Sequence, residues 1–293
     1  MALFECVPNF SEGRDPQIVE ALAAAAMAAG ARVLDRSRDP LHHRCVITLI
    51  GEGGALQDAA IAMARVAAER IDLRDHAGLH PRMGALDVLP FVPLRGAQMG
   101  EAVELARATA ARLWSELRIP SYLYEEAATR PERRDLARVR NVGFEALSAR
   151  MLEADGAPDI GDPTPHPSAG AVAVGARRLL VAWNLIAEGL DLPAARAIAR
   201  RMRGRDGGLA TLKALAFPLE GALVQLSFNI TDISATPLHR VTELARRQVA
   251  RAGGRVTGGE LVGLLPLEAL IDAAAYYGGV CGLSADEVYR GTG

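Results

Sequence analysis

The chain contains almost no lysine. Lys213 is the only one among 33 basic residues, and all the others are arginines. A codon bias towards arginine explains the imbalance. The surviving ammonium still stands out, because a compact point charge does things a planar guanidinium does not. Cysteine is scarce too. Cys6, Cys45 and Cys281 are too widely scattered for a disulfide framework or a metal cluster. No charge of one sign dominates: 33 basic against 35 acidic residues leave a net charge of −2, which gives no electrostatic case for binding nucleic acid. No apolar run reaches the length that spans a bilayer. Met1 leads directly into a strand-like segment without a signal-peptide pattern. A soluble cytoplasmic protein with no nucleic-acid or membrane partner is expected. Of its residues, 50% are hydrophobic and 23% charged, the composition of a globular chain. Its 293 residues suffice for one large or two medium domains.

Periodicity and punctuation divide the chain into two similar halves. Residues 2–9 read as a strand ended by Pro8-Asn9. An alanine-rich helix over 16–29 follows, with Asp15 as N-cap and Pro16 in the first helical position. Strands over 31–36 and 44–51, a helix over 54–70 and a buried strand over 85–92 complete a β-α-β-β-α-β order. A helix over 99–117 and a strand over 121–124 extend it. The second half repeats that order: strand 178–184, helix 192–204, strands 209–216 and 221–229, helix 237–252, strand 259–265, and a last helix over 266–276. The pattern predicts an α+β protein made of two ferredoxin-like, split β-α-β units, with subdomains spanning 1–176 and 177–293. The intervening stretch "APDIGDPTPHPSAGAVAVGAR", 157–177, is proline-rich. It is expected to be irregular and stiff. It is either a plain connector or the wall of a ligand cleft.

Four stretches could carry chemistry. In "HAGLHPRMGALDVLPFVP", 76–93, the mouth of a buried strand gathers His76, His80, Arg82 and Asp87. Pro81 holds His80 extended, on a stiff backbone. The spacing of His76 and His80 would suit a metal on a helix, but Gly78 and Pro81 argue against a helix and no third ligand is near, so no metal is expected. A histidine at such a mouth, beside Arg82 and Asp87, is a candidate general acid and base. In "ECVPNFSEGRD", 5–15, Asn9, Ser11 and Glu12 lie between a strand and a helix N-terminus, where backbone N–H groups favour an anion. A helix-capping turn explains the same residues. "DPLHHRC", 39–45, sends His43 and Arg44 to opposite faces of a strand. In "VQLSFNITD", 224–232, Gln225, Ser227 and Asn229 alternate with apolar residues. That suits hydrogen bonding to a polar ligand, although a solvent-facing strand alternates in the same way.

Together with "LYEEAA" (123–128), "GAVAVGAR" (170–177), "TPLHRV" after the 224–232 strand, and "GELVGLLPLEALIDAAAYY" (259–277), these stretches resemble glutamate formimidoyltransferase. The same family also forms the transferase half of formiminotransferase-cyclodeaminase. The resemblance runs from residue 5 to residue 277. It implies two ferredoxin-like subdomains whose sheets face each other across a ligand cleft. It also implies transfer of a formimino group between N-formimino-L-glutamate and tetrahydrofolate, with tetrahydrofolate as co-substrate. The family's catalytic histidine falls on His80. Its folate-binding segment falls on Gly161 through Gly170, including His166 and Ser168. Arg44, Arg82, Arg177 and Lys213 are the candidate cations for substrate carboxylates, and Asn184, Gln225, Ser227 and Asn229 the candidate polar contacts.

The chain departs from the family pattern at three places. Ser37 stands where a second aspartate is common, Ile186 where an amide is usual, and Ala169 where the vertebrate enzymes carry a tryptophan. The first two bear on the amino-acid donor. The alternatives are therefore a related folate-dependent transferase or amidine-handling enzyme with another donor, and a non-catalytic folate-binding module. A homodimer is expected, as is a cyclodeaminase supplied by a separate chain.

Overall fold

The computed structural model describes residues 2–76 and 82–279. The chain divides into two compact units, Met1–Arg178 and Leu179–Gly293.

In the first unit the opening strand is interrupted at Val7-Pro8, because proline has no N–H to give to a ladder. It becomes β1 (Phe4–Cys6) and β2 (Asn9–Phe10), both lying between β4 (Arg44–Gly51) and β5 (Leu86–Pro93). β3 (Arg32–Asp39) pairs with β4 on the outer side. Helix α1 (Pro16–Ala28) starts as expected: the Asp15 side chain accepts from the Gln17 N–H and proline takes the first turn. With α2 (Gly53–Arg70) and α3 (Met99–Leu117), it covers one face of the sheet. There Phe10, Leu22, Ile47, Leu49, Met63, Leu89 and Phe91 close the main core. A fully buried side chain of that size contributes about 1.5–3 kcal/mol.

The sheet extends beyond the ferredoxin-like order. β7 (Val172–Ala176) pairs in parallel with β5, and β6 (Ser121–Glu125) in parallel with β7. The 157–177 stretch is therefore not irregular throughout, as its prolines suggested. Its small-residue end, "VAVGA", is a fully buried strand of a seven-stranded sheet. Small side chains fit there because both faces of this strand are covered. On the second face a smaller core joins Val88, Tyr122, Tyr124 and Ala173 to Leu147 and Met151. The last two belong to α5 (Gly143–Met151), which follows the short helix α4 (Leu136–Val139). Periodicity did not single out α4 or α5.

The second unit is β8 (Val181–Glu188), α6 (Leu192–Met202), β9 (Leu212–Pro218), β10 (Val224–Ile230), α7 (Leu238–Arg251) and β11 (Arg255–Val262), then α8 (Leu267–Gly278). The order β11-β8-β10-β9 is antiparallel throughout, which is the ferredoxin-like order. Strict alternation in β10 puts Val224, Leu226, Phe228 and Ile230 into a core with α6 and α7. Gln225, Ser227 and Asn229 take the other face. Both units are thus α+β and built on an antiparallel ferredoxin-like sheet, to which the first unit adds the parallel strands β7 and β6 and a helix layer on the second face.

Candidate active site

At the mouth of β5, four charged and polar side chains of the first unit converge. Asn9 and Arg44 share the sheet face opposite the main core, since Asn9 pairs with Val46 and Phe10 with Cys45. The Arg44 guanidinium donates to the Asn9 Oδ1 from Nε (3.2 Å) and from a terminal nitrogen (2.6 Å), while the Asn9 amide donates to the Val7 carbonyl at 2.7 Å. A second terminal nitrogen of Arg44 reaches Asp87 Oδ2 at 3.0 Å. Arg140 lies 2.5 Å from the same oxygen. The other Asp87 oxygen accepts from the backbone N–H groups of Met83 (2.9 Å) and Gly84 (3.3 Å). Asp87 is 0% exposed. This carboxylate therefore folds the strand mouth and holds two guanidiniums side by side. Burial first, and then the neighbouring Arg140 charge, pull the Arg44 pKa down to about 10. It stays cationic at neutral pH.

Arg140, which the sequence did not single out, sits at the end of α4. That is where the layer covering the second face of the sheet reaches Asp87. Nothing in its local sequence marks it, because its partner is 53 residues away. The first loop behaves mainly as the capping turn. Ser11 is buried, and its hydroxyl donates to the Gly84 carbonyl at 2.8 Å. The Glu12 carboxylate accepts from the Arg14 and Asp15 N–H groups (2.6 and 2.9 Å) and lies 3.2 Å from His43 Nε2.

His80 and the rest of 77–81 lie outside the described residues; His76 and Arg82 flank them. Arg82 donates to the His76 carbonyl at 2.8 Å, which ties the two ends of that segment together, and it pairs with Glu145 at 2.7 Å. The His76 ring stacks on His43 (centroids 4.0 Å apart, 6° between planes). Its Nε2 lies 3.1 Å from the His43 carbonyl, which can only accept, so Nε2 carries the proton. His76 Nδ1 has no hydrogen-bond partner among the described residues. Burial pushes the His76 pKa down. His76 is therefore a neutral, packed ring at the rim of the mouth.

The connector approaches the same place. His166 and Gly170 exchange backbone hydrogen bonds (2.8 and 2.9 Å), and the His166 Nδ1 accepts from the Ala169 N–H at 3.1 Å, closing a tight turn. Ser168 accepts at its carbonyl from the Leu73 N–H (2.9 Å). Gly170 has φ +68°, and a Cβ there would stand 2.1 Å from the Met83 carbonyl oxygen. Gly161, φ +101°, is elsewhere, packed against Trp114 and Pro120 beyond the end of α3. Of the predicted folate segment, the 166–170 turn borders the strand mouth and Gly161 does not. Arg177 lies beside Glu5, whose pKa is raised by burial and drawn back by the Arg177 charge.

In the second unit the predicted polar residues share one face. Ser227 pairs across with Asn184, Asn229 with Lys213, and Gln225 with Ile186. Asn184 is buried, and its amide donates to Glu260 on β11 at 3.0 Å. Glu260 is a further residue of this face that strand alternation alone did not mark. Among the described residues no group of histidine, cysteine and carboxylate side chains could hold a metal ion, and no helix is long and apolar enough to cross a membrane.

The chain is thus an α+β protein of two ferredoxin-like units, one with a strand mouth of clustered arginines and the other with a polar sheet face. Family models agree: that of the formiminotransferase domain, N-terminal subdomain, matches residues 3–177, and that of the formiminotransferase domain matches 187–283. The chain belongs to the formiminotransferase family and is a one-carbon transferase. It is 43% identical to a glutamate formimidoyltransferase of Streptococcus pyogenes serotype M1, over 94% of this chain and 93% of that protein. It is 45% identical to one of Thermoplasma acidophilum, over 94% and 92%. It is also 42% identical to the formimidoyltransferase-cyclodeaminase of Rattus norvegicus, over 94% of this chain but 52% of that longer protein.

Proposed function

We propose that the protein transfers the formimino group between N-formimino-L-glutamate and tetrahydrofolate, giving 5-formiminotetrahydrofolate and L-glutamate, with His80 as acid and base. The observation that carries this reading is the similarity to glutamate formimidoyltransferases over nearly the full length of both chains. In the reaction the folate N5 attacks the amidine carbon and forms a tetrahedral centre bearing three nitrogens. The attacking nitrogen must lose a proton and the departing glutamate amine must gain one. A histidine, with an ordinary pKa near 6.5, performs both transfers at neutral pH. Holding both substrates together supplies the proximity term. Arg44, held at the strand mouth by Asn9 and Asp87, suits a substrate carboxylate, and Lys213 suits a second. His76 stacks on His43 and is held through its Nε2, which favours His80 over it as the proton shuttle. The 166–170 turn and the row of Asn184, Gln225, Ser227 and Asn229 supply polar contacts. Residues 1–176 and 177–293 act as the two subdomains of a cytoplasmic homodimer, for which a cyclodeaminase is a candidate partner.

Ile186 places an apolar side chain opposite Gln225 on the polar face, which favours testing other formimino donors beside glutamate. Incubating the protein with formiminoglutamate and tetrahydrofolate, and following 5-formiminotetrahydrofolate by absorbance, tests the reading. Product formation supports it. No product with tight folate binding by calorimetry indicates a binding module. No product with another donor turned over indicates the related transferase.

A further inference from the structure

The polar face of the second unit carries a carboxylate that has no counter-cation among the described residues. Glu260 pairs across β11–β8 with Asn184, and Asn184 across β8–β10 with Ser227, so the three stand in one row. Glu260 is exposed, and its Oε2 accepts from the buried Asn184 amide at 3.0 Å. Among the described residues it has no ion-pair partner, whereas Glu188, further along the same sheet, is neutralised by Arg255 at 2.6 Å. An amide that is itself buried thus orients a charged acceptor, and Oε1 and the second lone pair of Oε2 retain their capacity. On the opposite edge of the same sheet Lys213 pairs with Asn229. The two residues are three strand spacings apart across the sheet, about 14 Å, and two residues apart along it. Such a face complements a ligand with a cationic or donor edge at one end and a carboxylate at the other.

We propose that Glu260, oriented by Asn184, binds the planar N–C–N donor edge of a substrate. This inference rests on the formimino-transfer reading, whose substrates offer that edge twice. The formimino group is an amidinium near neutral pH, and the reduced pterin presents N3–H beside its 2-amino group. A carboxylate meets either with two parallel N–H···O bonds. Asn184 touches no reacting atom in this scheme and is a positioning residue.

The Glu260→Gln variant keeps an acceptor for Asn184 and removes the charge. Binding of 5-formyltetrahydrofolate and of N-formimino-L-glutamate is measured separately by calorimetry, and KM for each substrate in the transfer assay. One of the two ligands is expected to bind roughly 10- to 100-fold more weakly, the loss of a charge-assisted hydrogen bond. Loss confined to the folate identifies the pterin edge; loss confined to formiminoglutamate identifies the amidinium. Glu188→Gln, which alters the same face at an ion-paired carboxylate, is expected to leave both affinities unchanged. Wild-type affinity of Glu260→Gln for both ligands, or an equal loss in Glu188→Gln, overturns the proposal. Wild-type turnover with Glu260-independent binding overturns this proposal alone. A wild type that lacks turnover but binds folate through Glu260 overturns the transfer reading alone, and one that binds neither probe overturns both.

Discussion

Asp87 shows how one buried side chain can hold both the backbone and neighbouring charges in place. Its carboxylate accepts two backbone N–H groups and faces two guanidiniums. Asp87→Asn keeps the backbone acceptor but leaves Arg44 and Arg140 adjacent without their shared counter-charge. Breaking a buried pair in this way costs roughly 3–5 kcal/mol, and urea unfolding is expected to register a loss of that order. A second substitution, Arg140→Gln, is expected to recover part of it by removing the like-charge contact. The histidines predict a pH effect. Burial lowers the pKa of both His76 and His166. Once the pH falls below the ordinary value near 6.5, the unfolded chain binds more protons than the folded one. Their contribution to stability is therefore complete above about pH 6.5 and is lost as the pH falls through the lower folded values. Tm is expected to drop between pH 7 and pH 5. His166→Asn retains an acceptor for the Ala169 N–H without titrating, so its drop is expected to be smaller.

At the scale of elements, the turn at 166–170 fixes where the connector meets the strand mouth. Gly170→Ala places a methyl group against the Met83 carbonyl in a left-handed backbone, so it is expected to cost more than about 1 kcal/mol in thermal or urea unfolding. Both split β-α-β units were legible from apolar runs and from caps such as Asp15-Pro16, because those signals are local. β7 was not: prolines precede it, and its two valines are too few among alanine and glycine to mark a strand until β5 and β6 enclose it on both sides. The site was legible in part. Asn9, Arg44 and the polar alternation of β10 stand out in single segments. Arg140 and Glu260 acquire meaning only from partners 53 and 76 residues away, Asp87 and Asn184.

For the whole molecule, proton transfer is proposed for the first unit and carboxylate binding for both. Lys213→Arg tests the second assignment. Replacing the point charge on β9 with a planar fork is expected to raise KM several-fold with little change in kcat, and unchanged kinetics would mean the lone lysine has no special role. The central claim is formimino transfer with His80, rather than its stacked neighbour His76, as the acid and base. The measurement is kcat for formiminoglutamate with tetrahydrofolate, taken side by side for the wild type and His80→Ala at equal folded fraction. The account predicts a wild type that forms 5-formiminotetrahydrofolate and a variant slower by roughly 10² or more; an inert wild type, or a variant that turns over at the wild-type rate, would contradict it.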